Sequence, residues 1–391
     1  MSHATSLFCQ ILSLFQRSDF ARHVREFKAE RHSRGFSCWD QFVAMLFCQL
    51  AQARSLREIS DGLKSCEGKL KHLGLETEPK RSTLSYANAH RPWQLFEQLF
   101  HDLLARCQEI SPRKKFRFKN KLLTLDSTTI ELCANMFDWA KWRQTKGAVK
   151  LHLLLDHDGY LPVFAHLTEG KVADVSVAQS LEFPKGSVVA MDRGYNDYHL
   201  FTEWTRSGVF FVTRLKRNAN ANVLEERPVP KGGNILRDEI IRLREFEAGR
   251  PDLEDLRRVT VWLEDKQEEL ILLTNNFQWA ASTIAAIYKE RWQIELFFKT
   301  LKQQLKIKTF VGTSANAVRI QIWTALISIL ILRYLQFKSR FGWALSNLVA
   351  LLRWNLFSYR DLWEWIDKPF QTPPEPSAQL LMNLDSITPS G

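Results

Sequence analysis

Ser282 to Lys308 reads STIAAIYKERWQIELFFKTLKQQLKIK, with neither Gly nor Pro. Such a run predicts one unbroken helix. At roughly 100° per residue, Tyr288, Arg291, Glu295 and Lys302 fall within an arc of about 60°, so a phenol, a guanidinium, a carboxylate and an ammonium share one face. Ile284, Ile287, Trp292, Ile294, Phe297 and Leu301 lie mostly elsewhere, which lets the helix dock on a core and still present this stripe. A solvated charged face would show the same polarity. A single acid among several cations also suits a face that holds a metal beside phosphates.

Upstream of this helix, Lys216 to Trp279 is interrupted by Pro228, Pro230, Gly232, Gly233, Gly249 and Pro251 between strand-like pieces such as RRVTVWLE and ELILLTN. Residues 216–280 therefore read as a β-rich insertion. Residues 122–215 carry the period of strands: LLTLDST (122–128), VKLHLLLD (149–156) and YLPVFAHLT (160–168), with His157-Asp158-Gly159 as a hairpin turn. A helix through Asp174 to Leu181, the strand SVVAMD (187–192), a helix from Asn196 to Arg206 and the strand VFFVTRL (209–215) follow. Three antiparallel strands and then helix–strand alternation is the order expected of a ribonuclease H-like mixed sheet, so the fold class is α/β.

Residues 1–110 have a helical pattern throughout. Phe36 to Ala53 predicts a buried helix, and Ser55-Leu56-Arg57-Glu58 a capping box opening the next one, Leu56 to Lys64. After a basic connector, Ser82 is expected to cap a short helix through His90, whose Thr83, Ser85, Tyr86, Asn88 and Arg91 are of the kinds that touch phosphates and base edges. A helix-turn-helix with an overlong turn and a plain helical bundle both fit. Pro92 starts a third helix with Leu95, Phe96, Leu99, Phe100, Leu103 and Leu104 inward. The linker SPRKKFRFKNK (111–121) concentrates charge, including Lys114, Lys115 and Arg117, at a domain boundary where it is expected to meet DNA. Residues 281–310 form the key helix of the core and 311–370 a helical C-terminal region. Its most apolar part, Ile320 to Leu332, is well short of the roughly 20 residues a membrane span needs and predicts a buried helix. Residues 371–391 are expected to be disordered.

Lys and Arg number 54 against 43 Asp and Glu, a net charge of +11, and the pI is near 9.4. A polyanion is the natural partner. Thirteen Trp and 26 Phe exclude a disordered basic protein. Cys9, Cys38, Cys48, Cys66, Cys107 and Cys133 show no C-x-x-C spacing, which favours reduced core thiols in a cytosolic protein over a zinc site or a disulfide frame. The opening MSHATSLFCQILSLFQR lacks a basic region and a small-residue cleavage site, so no signal peptide and no membrane partner are expected.

Asp126 follows the apolar run LLTL and Asp192 follows VVAM. Each is placed at the end of a buried strand, where a charge is costly unless it binds something, although a cap or turn residue could stand there too. Together with Glu295, inside Tyr-x2-Arg-x3-Glu-x6-Lys, these acids resemble the DDE triad of insertion-sequence transposases bearing the Tyr-Arg-Glu-Lys signature. The long gap between Asp192 and Glu295 is what that family needs to house its β-strand insertion. The resemblance covers residues 118 to about 310 closely and is looser for the helical DNA-binding region.

It implies that Asp126, Asp192 and Glu295 are catalytic and hold two Mg²⁺ ions (Mn²⁺ may substitute) in a ribonuclease H-like core. It further implies that Tyr288, Arg291 and Lys302, with Arg193 and Lys150 nearby, handle the DNA strand. The partners implied are double-stranded DNA, at element ends and target, and a second copy in a synaptic homodimer in the bacterial cytosol or nucleoid. Some members stack a flipped base on a Trp just before the Leu-Leu-Thr of the insertion. This chain has Leu270 there, and Trp262 is the nearest aromatic candidate. Hard oxygen ligands suit Mg²⁺ and Mn²⁺, and two such ions supply both a nucleophile and charge stabilisation for phosphodiester cleavage. A catalytically silent repressor and a nuclease without strand transfer are the alternatives. His152 shares a face with Lys150 and is either structural or directed to the site.

Overall fold

The computed structural model describes residues 5–31, 33, 35–66, 68–112, 120–133, 139, 141–143, 146–216, 219–229, 231–243, 255–304 and 310–371. In chain order the first helices are α1 (Leu7–Leu12), α2 (Arg17–Glu26), α3 (Cys38–Leu50), α4 (Leu56–Lys64), α5 (Arg81–His90) and α6 (Gln94–Ile110). Next come β1 (Leu122–Cys133), β2 (Lys141–Arg143), β3 (Lys146–Asp156), β4 (Leu161–Glu169), α7 (Asp174–Ala178), β5 (Val188–Met191), α8 (Tyr198–Arg206) and β6 (Phe210–Arg214). The remainder is β7 (Ala221–Glu226), β8 (Ile235–Leu243), β9 (Leu256–Leu263), β10 (Glu268–Thr274), α9 (Ala281–Glu290), α10 (Trp292–Gln304), α11 (Ala315–Lys338), α12 (Leu345–Asn355) and α13 (Leu362–Asp367). The chain divides into two compact units, one of Met1–Pro112, Glu131–Gly147 and Lys299–Gly391, the other of Arg113–Ile130 and Ala148–Phe298.

The first unit is helical and centred on α11, which is buried on nearly all sides between Ala317 and Leu335. A helix apolar all round needs partners on every face. It finds them in α3, α5, α6 and α12, so the helices before residue 110 and those after 311, separate regions in the sequence, share one core. Trp323 packs on Phe100 with ring centroids 5.1 Å apart. By length and composition α11 could cross a membrane, against the expectation from its shorter apolar stretch, but 83% of that window is buried within the protein. Ser37 caps α3 through a complete capping box. Ser55 accepts from the Glu58 N–H, while Glu58 reaches back to the Arg54 N–H, leaving that box half formed. Ser82 is not a cap: α5 begins at Arg81, with Lys80 before it and no side-chain cap. Cys38, Cys48 and Cys107 are buried, and desolvation pushes their thiols up to about 12.

The second unit is mixed α/β. Its strands lie in the order β3-β1-β5-β6-β10-β9-β8-β7, with β4 paired to β3. β1, β5 and β6 are parallel, and β10, β9, β8 and β7 continue antiparallel from β6. The insertion strands therefore extend the core sheet. Side chains of a strand alternate between faces, so Val189 and Met191 enter the cluster with Leu200, Phe201 and Trp204 of α8, while Val188 and Ala190 join Ile284 and Ile287 of α9. The single helix expected over 282–308 is two, since Arg291 lies between α9 and α10. Arg291 N–H bonds Tyr288 O and Ile294 N–H bonds Arg291 O, a turn tightened to i→i−3. Trp292, expected inward, is 55% exposed.

Candidate active site

Strand register brings the two aspartates together. β1 and β5 pair in parallel from Leu122↔Val188 to Leu125↔Met191, so the next row sets Asp126 beside Asp192. Asp192 ends β5 as expected, whereas Asp126 lies within β1, at the point where pairing to β5 stops. β6 follows β5 with Ala190↔Val212, which puts Arg214 at the level of Asp192. Two carboxylates and a guanidinium thus stand at the carboxyl ends of paired parallel segments, the edge of an α/β sheet where ligands bind. Arg214 escaped the sequence reading. Its signal is akin to the one that marked Asp192: a charge at the end of a buried strand.

Glu295 joins through Arg291. The Arg291 guanidinium donates from Nη1 to Asp126 Oδ2 at 3.0 Å and from Nη2 to Glu295 Oε1. Asp126 also accepts from the Ser127 N–H at 2.8 Å. Its side chain is only 17% exposed. Burial raises its pKa, Arg291 and the Ser127 N–H pull it down, and Asp192 and Glu295 push it up again, to about 7. One shared guanidinium leaves the acids short of positive charge. Asp192 accepts from Gly194 N–H at 2.7 Å, and a Cβ on Gly194 would come within 2.9 Å of its Oδ1. Glycine there lets the backbone close on the carboxylate.

Tyr288, its pKa raised by burial, lies with its ring 5.7 Å from the Arg291 guanidinium. A cleft of about 980 Å³ opens beside these residues, lined among others by Arg214, Trp262, Lys289, Arg291, Trp292 and Glu295. Trp262 of β9 therefore faces the same cleft as Glu295, and Leu270 lines it too. Lys302 lies farther along α10, in the helical unit and half-buried. Arg193 is exposed in the short 3₁₀ turn after Asp192.

Lys150 and His152 turn to another acid, Asp174. Lys150 Nζ lies 3.3 Å from Asp174 Oδ1 and donates to Val172 O, which holds it within the unit. His152 is fully buried against Thr168. Burial outweighs Asp174 and holds the ring neutral, with its pKa lowered to about 4. Ser127 donates to Asp174 at 2.6 Å. The Tyr195 hydroxyl is buried beside Ser127, near Asp174 and Asp126, and burial raises its pKa.

Two DNA-contact assignments on α5 are corrected. Asn88 is buried, its amide oxygen accepting from Gln41 at 2.8 Å, because the polar position faces α3. Arg91 spends its fork on Ser37 O, Phe36 O and Ser33 Oγ. Ser85 is exposed. Lys114, Lys115 and Arg117 lie outside the described residues.

Asp126, Asp192 and Glu295 supply only carboxylate oxygens, a donor set suited to hard divalent ions. Among the described residues no three acids, histidines or cysteines form a ready-made metal cage, and Arg291 is the cation between Asp126 and Glu295.

The Transposase DDE domain family matches residues 117–331, and the chain belongs to that family. A domain of unknown function matches residues 3–76. Among relatives named as transposases, y4zB of Sinorhizobium fredii is 33% identical over 288 residues, covering 73% of this chain and 79% of its own. That of insertion sequence element IS5377 of Geobacillus stearothermophilus is 28% identical over 256 residues, 65% of this chain and 67% of its own. The piggyBac transposase synaptic complex with hairpin DNA aligns over all of this chain and 88% of that one at 11% identity with a TM-score of 0.47, too slight a likeness to argue from. The protein is thus a DDE-type transposase of the insertion-sequence kind. Such enzymes generally use divalent metal ions.

Proposed function

We propose that this protein binds the terminal inverted repeats of its own element, cleaves at the ends and joins the 3′ ends to target DNA. The observation that carries the reading is the register that sets Asp126 beside Asp192, with Arg291 tying Glu295 to the pair. The parallel β1, β5 and β6, with the acids at their carboxyl ends, support a ribonuclease H-like core. Asp126, Asp192 and Glu295 would hold two Mg²⁺ or Mn²⁺ ions. Such ions supply charge stabilisation on the attacking and leaving oxygens and a nucleophile near neutral pH. Arg291 keeps the acids gathered until DNA arrives, then turns its fork from carboxylate to phosphate, which it can grip with two parallel hydrogen bonds. Tyr288 donates to the same strand, Lys302 adds a point charge farther along it, and Arg193 is placed to meet the backbone. Trp262, facing the cleft, is the aromatic platform for a base displaced at the cut. The protein acts as a dimer on paired ends in the bacterial cytosol.

The test incubates the full chain with Mg²⁺, a duplex carrying the element's ends and a supercoiled target. Cleaved and joined ends support the proposal. Binding without cleavage would make the protein a repressor, and cleavage without joining a nuclease.

A further inference from the structure

The helical unit holds a second candidate site. Between α5 and residues 28–36 lies a pocket of about 370 Å³ whose lining includes Lys28, Arg31, Phe36, Tyr86, His90 and Arg91, with no carboxylate among the described residues. Its walls are held in place. Arg91 pins the 33–37 segment through the three hydrogen bonds described above, and the His90 Nδ1–H donates to Tyr86 O at 2.8 Å. That bond lays the two rings together, 4.1 Å apart and 22° from parallel. Tyr86 is nevertheless 67% exposed. A large aromatic ring stacked on its neighbour but left in water is a ready platform, since less ordering entropy is lost on binding.

Lys28 supplies the second clue. Helix α2 ends in a Schellman motif, with the Lys28 N–H on Arg25 O and the Ala29 N–H on Val24 O. Lys28 is its left-handed residue, at φ +51°, a position that glycine fills without strain and a lysine does not. Strain of this kind persists where the surrounding structure holds it, as it also does at Gln52, Tyr160 and Gln267, and what sets Lys28 apart is its place. Here the side chain is an ammonium at the rim of a pocket whose described lining carries no acid, beside Arg31.

We propose that this pocket grips the sugar–phosphate backbone of duplex DNA. Lys28 and Arg31 meet phosphates, and Tyr86 lays its ring and phenol against the adjoining sugar. The proposal rests on the reading of this chain as a DNA-acting transposase, and it transfers the N-terminal contact from Asn88, which is buried against α3, and Arg91, which holds the pocket wall, to residues that line it exposed.

A backbone contact is independent of sequence, so a random-sequence duplex serves as probe. Affinity of the full chain is measured against salt for the wild type and for Lys28→Gly, Arg31→Gln and Tyr86→Ala, with a thermal melt of each. Lys28→Gly relieves the left-handed strain, so its Tm should hold or rise while binding weakens. Loss of either cation should flatten the slope of log affinity against log salt by about 0.9 and cost roughly fivefold to tenfold in affinity at moderate salt. Tyr86→Ala should weaken binding with the slope unchanged. If all three variants match a wild type that binds, the pocket is no DNA site, although the transposase reading stands. A wild type that binds no duplex at low salt overturns both.

Discussion

Arg257 and Arg291 are both largely buried guanidiniums in the same unit, each flanked by acids, and they are wired differently. Arg257 gives Nε and Nη2 to the two oxygens of Asp238, at 2.8 and 2.6 Å, and Nη1 to the carbonyls of Asn276 and Trp279. The charge is balanced one to one and the donors are used. Arg291 is divided between Asp126 and Glu295, its Nε has no hydrogen-bond partner among the described residues, and Asp126 is still driven to about 7 by burial and its neighbouring acids. One assembly is closed and locks β8 to β9. The other is unsaturated, and what it lacks is positive charge. The difference separates an ion pair that serves the fold from one that waits for a ligand, and it makes opposite demands on mutants.

The largest effect should come from the acids of the open set. Asp126→Asn, Asp192→Asn and Glu295→Gln are each expected to lower the single-turnover cleavage rate by about a thousandfold or more, on the order of 4 kcal/mol of barrier. Binding to the ends should remain nearly as in the wild type, because affinity comes from phosphate contacts elsewhere, and Tm should move by no more than a few degrees. Any of the three that cleaves at close to the wild-type rate does not belong to the site.

The closed pair should behave in the reverse way. Arg257→Met leaves Asp238 buried and unpaired, which costs about 3–5 kcal/mol, whereas the double variant with Asp238→Leu should recover most of that loss. Chemical denaturation of the two variants measures it. A single variant as stable as the wild type would show that the β8–β9 pair is dispensable and remove the contrast.

Arg291→Lys tests whether the open guanidinium acts on DNA or on metal. The charge stays but the fork is lost, so cleavage of pre-bound ends should slow by about tenfold to a hundredfold, less than for an acid. Excess Mg²⁺ should not restore it. Full rescue across a Mg²⁺ titration would mean that Arg291 supports metal binding and that the clamp role is wrong.

What the sequence disclosed and what it withheld follow from the range of the interactions. Arg291 and Glu295 are four apart on a helical run, so their proximity is local and was legible. The strands ending at Asp192 and Arg214 were legible as apolar runs, but that Asp126 and Asp192 become neighbours depends on β1 pairing with β5 in one register, which no local pattern encodes. The joining of β10 to β6, by which the insertion extends the core sheet, was hidden for the same reason. Asn88 was misread because a buried amide and an exposed one look identical until α3 is placed against it. The break at Arg291 was also invisible, since nothing in the run lacks helix propensity.

The smallest effect is the most direct measure of how unsaturated the open set is. The folded pKa of Asp126 is raised, to about 7 from 3.8. Between those values the native state keeps a proton that the unfolded chain has released, so stability falls as pH rises, and above about pH 7 the whole deficit is present. Replacing the carboxylate by an amide removes the term. In EDTA, Asp126→Asn should therefore melt a few degrees above the wild type at pH 8 and together with it near pH 4, where both carry a neutral side chain. The value near 7 is already net of the Arg291 pair, which pulls it down against burial. A variant that melts lower than the wild type at pH 8 would mean that the Asp126–Arg291 ion pair outweighs burial, and the open set would then be as well balanced as the pair that Arg257 closes.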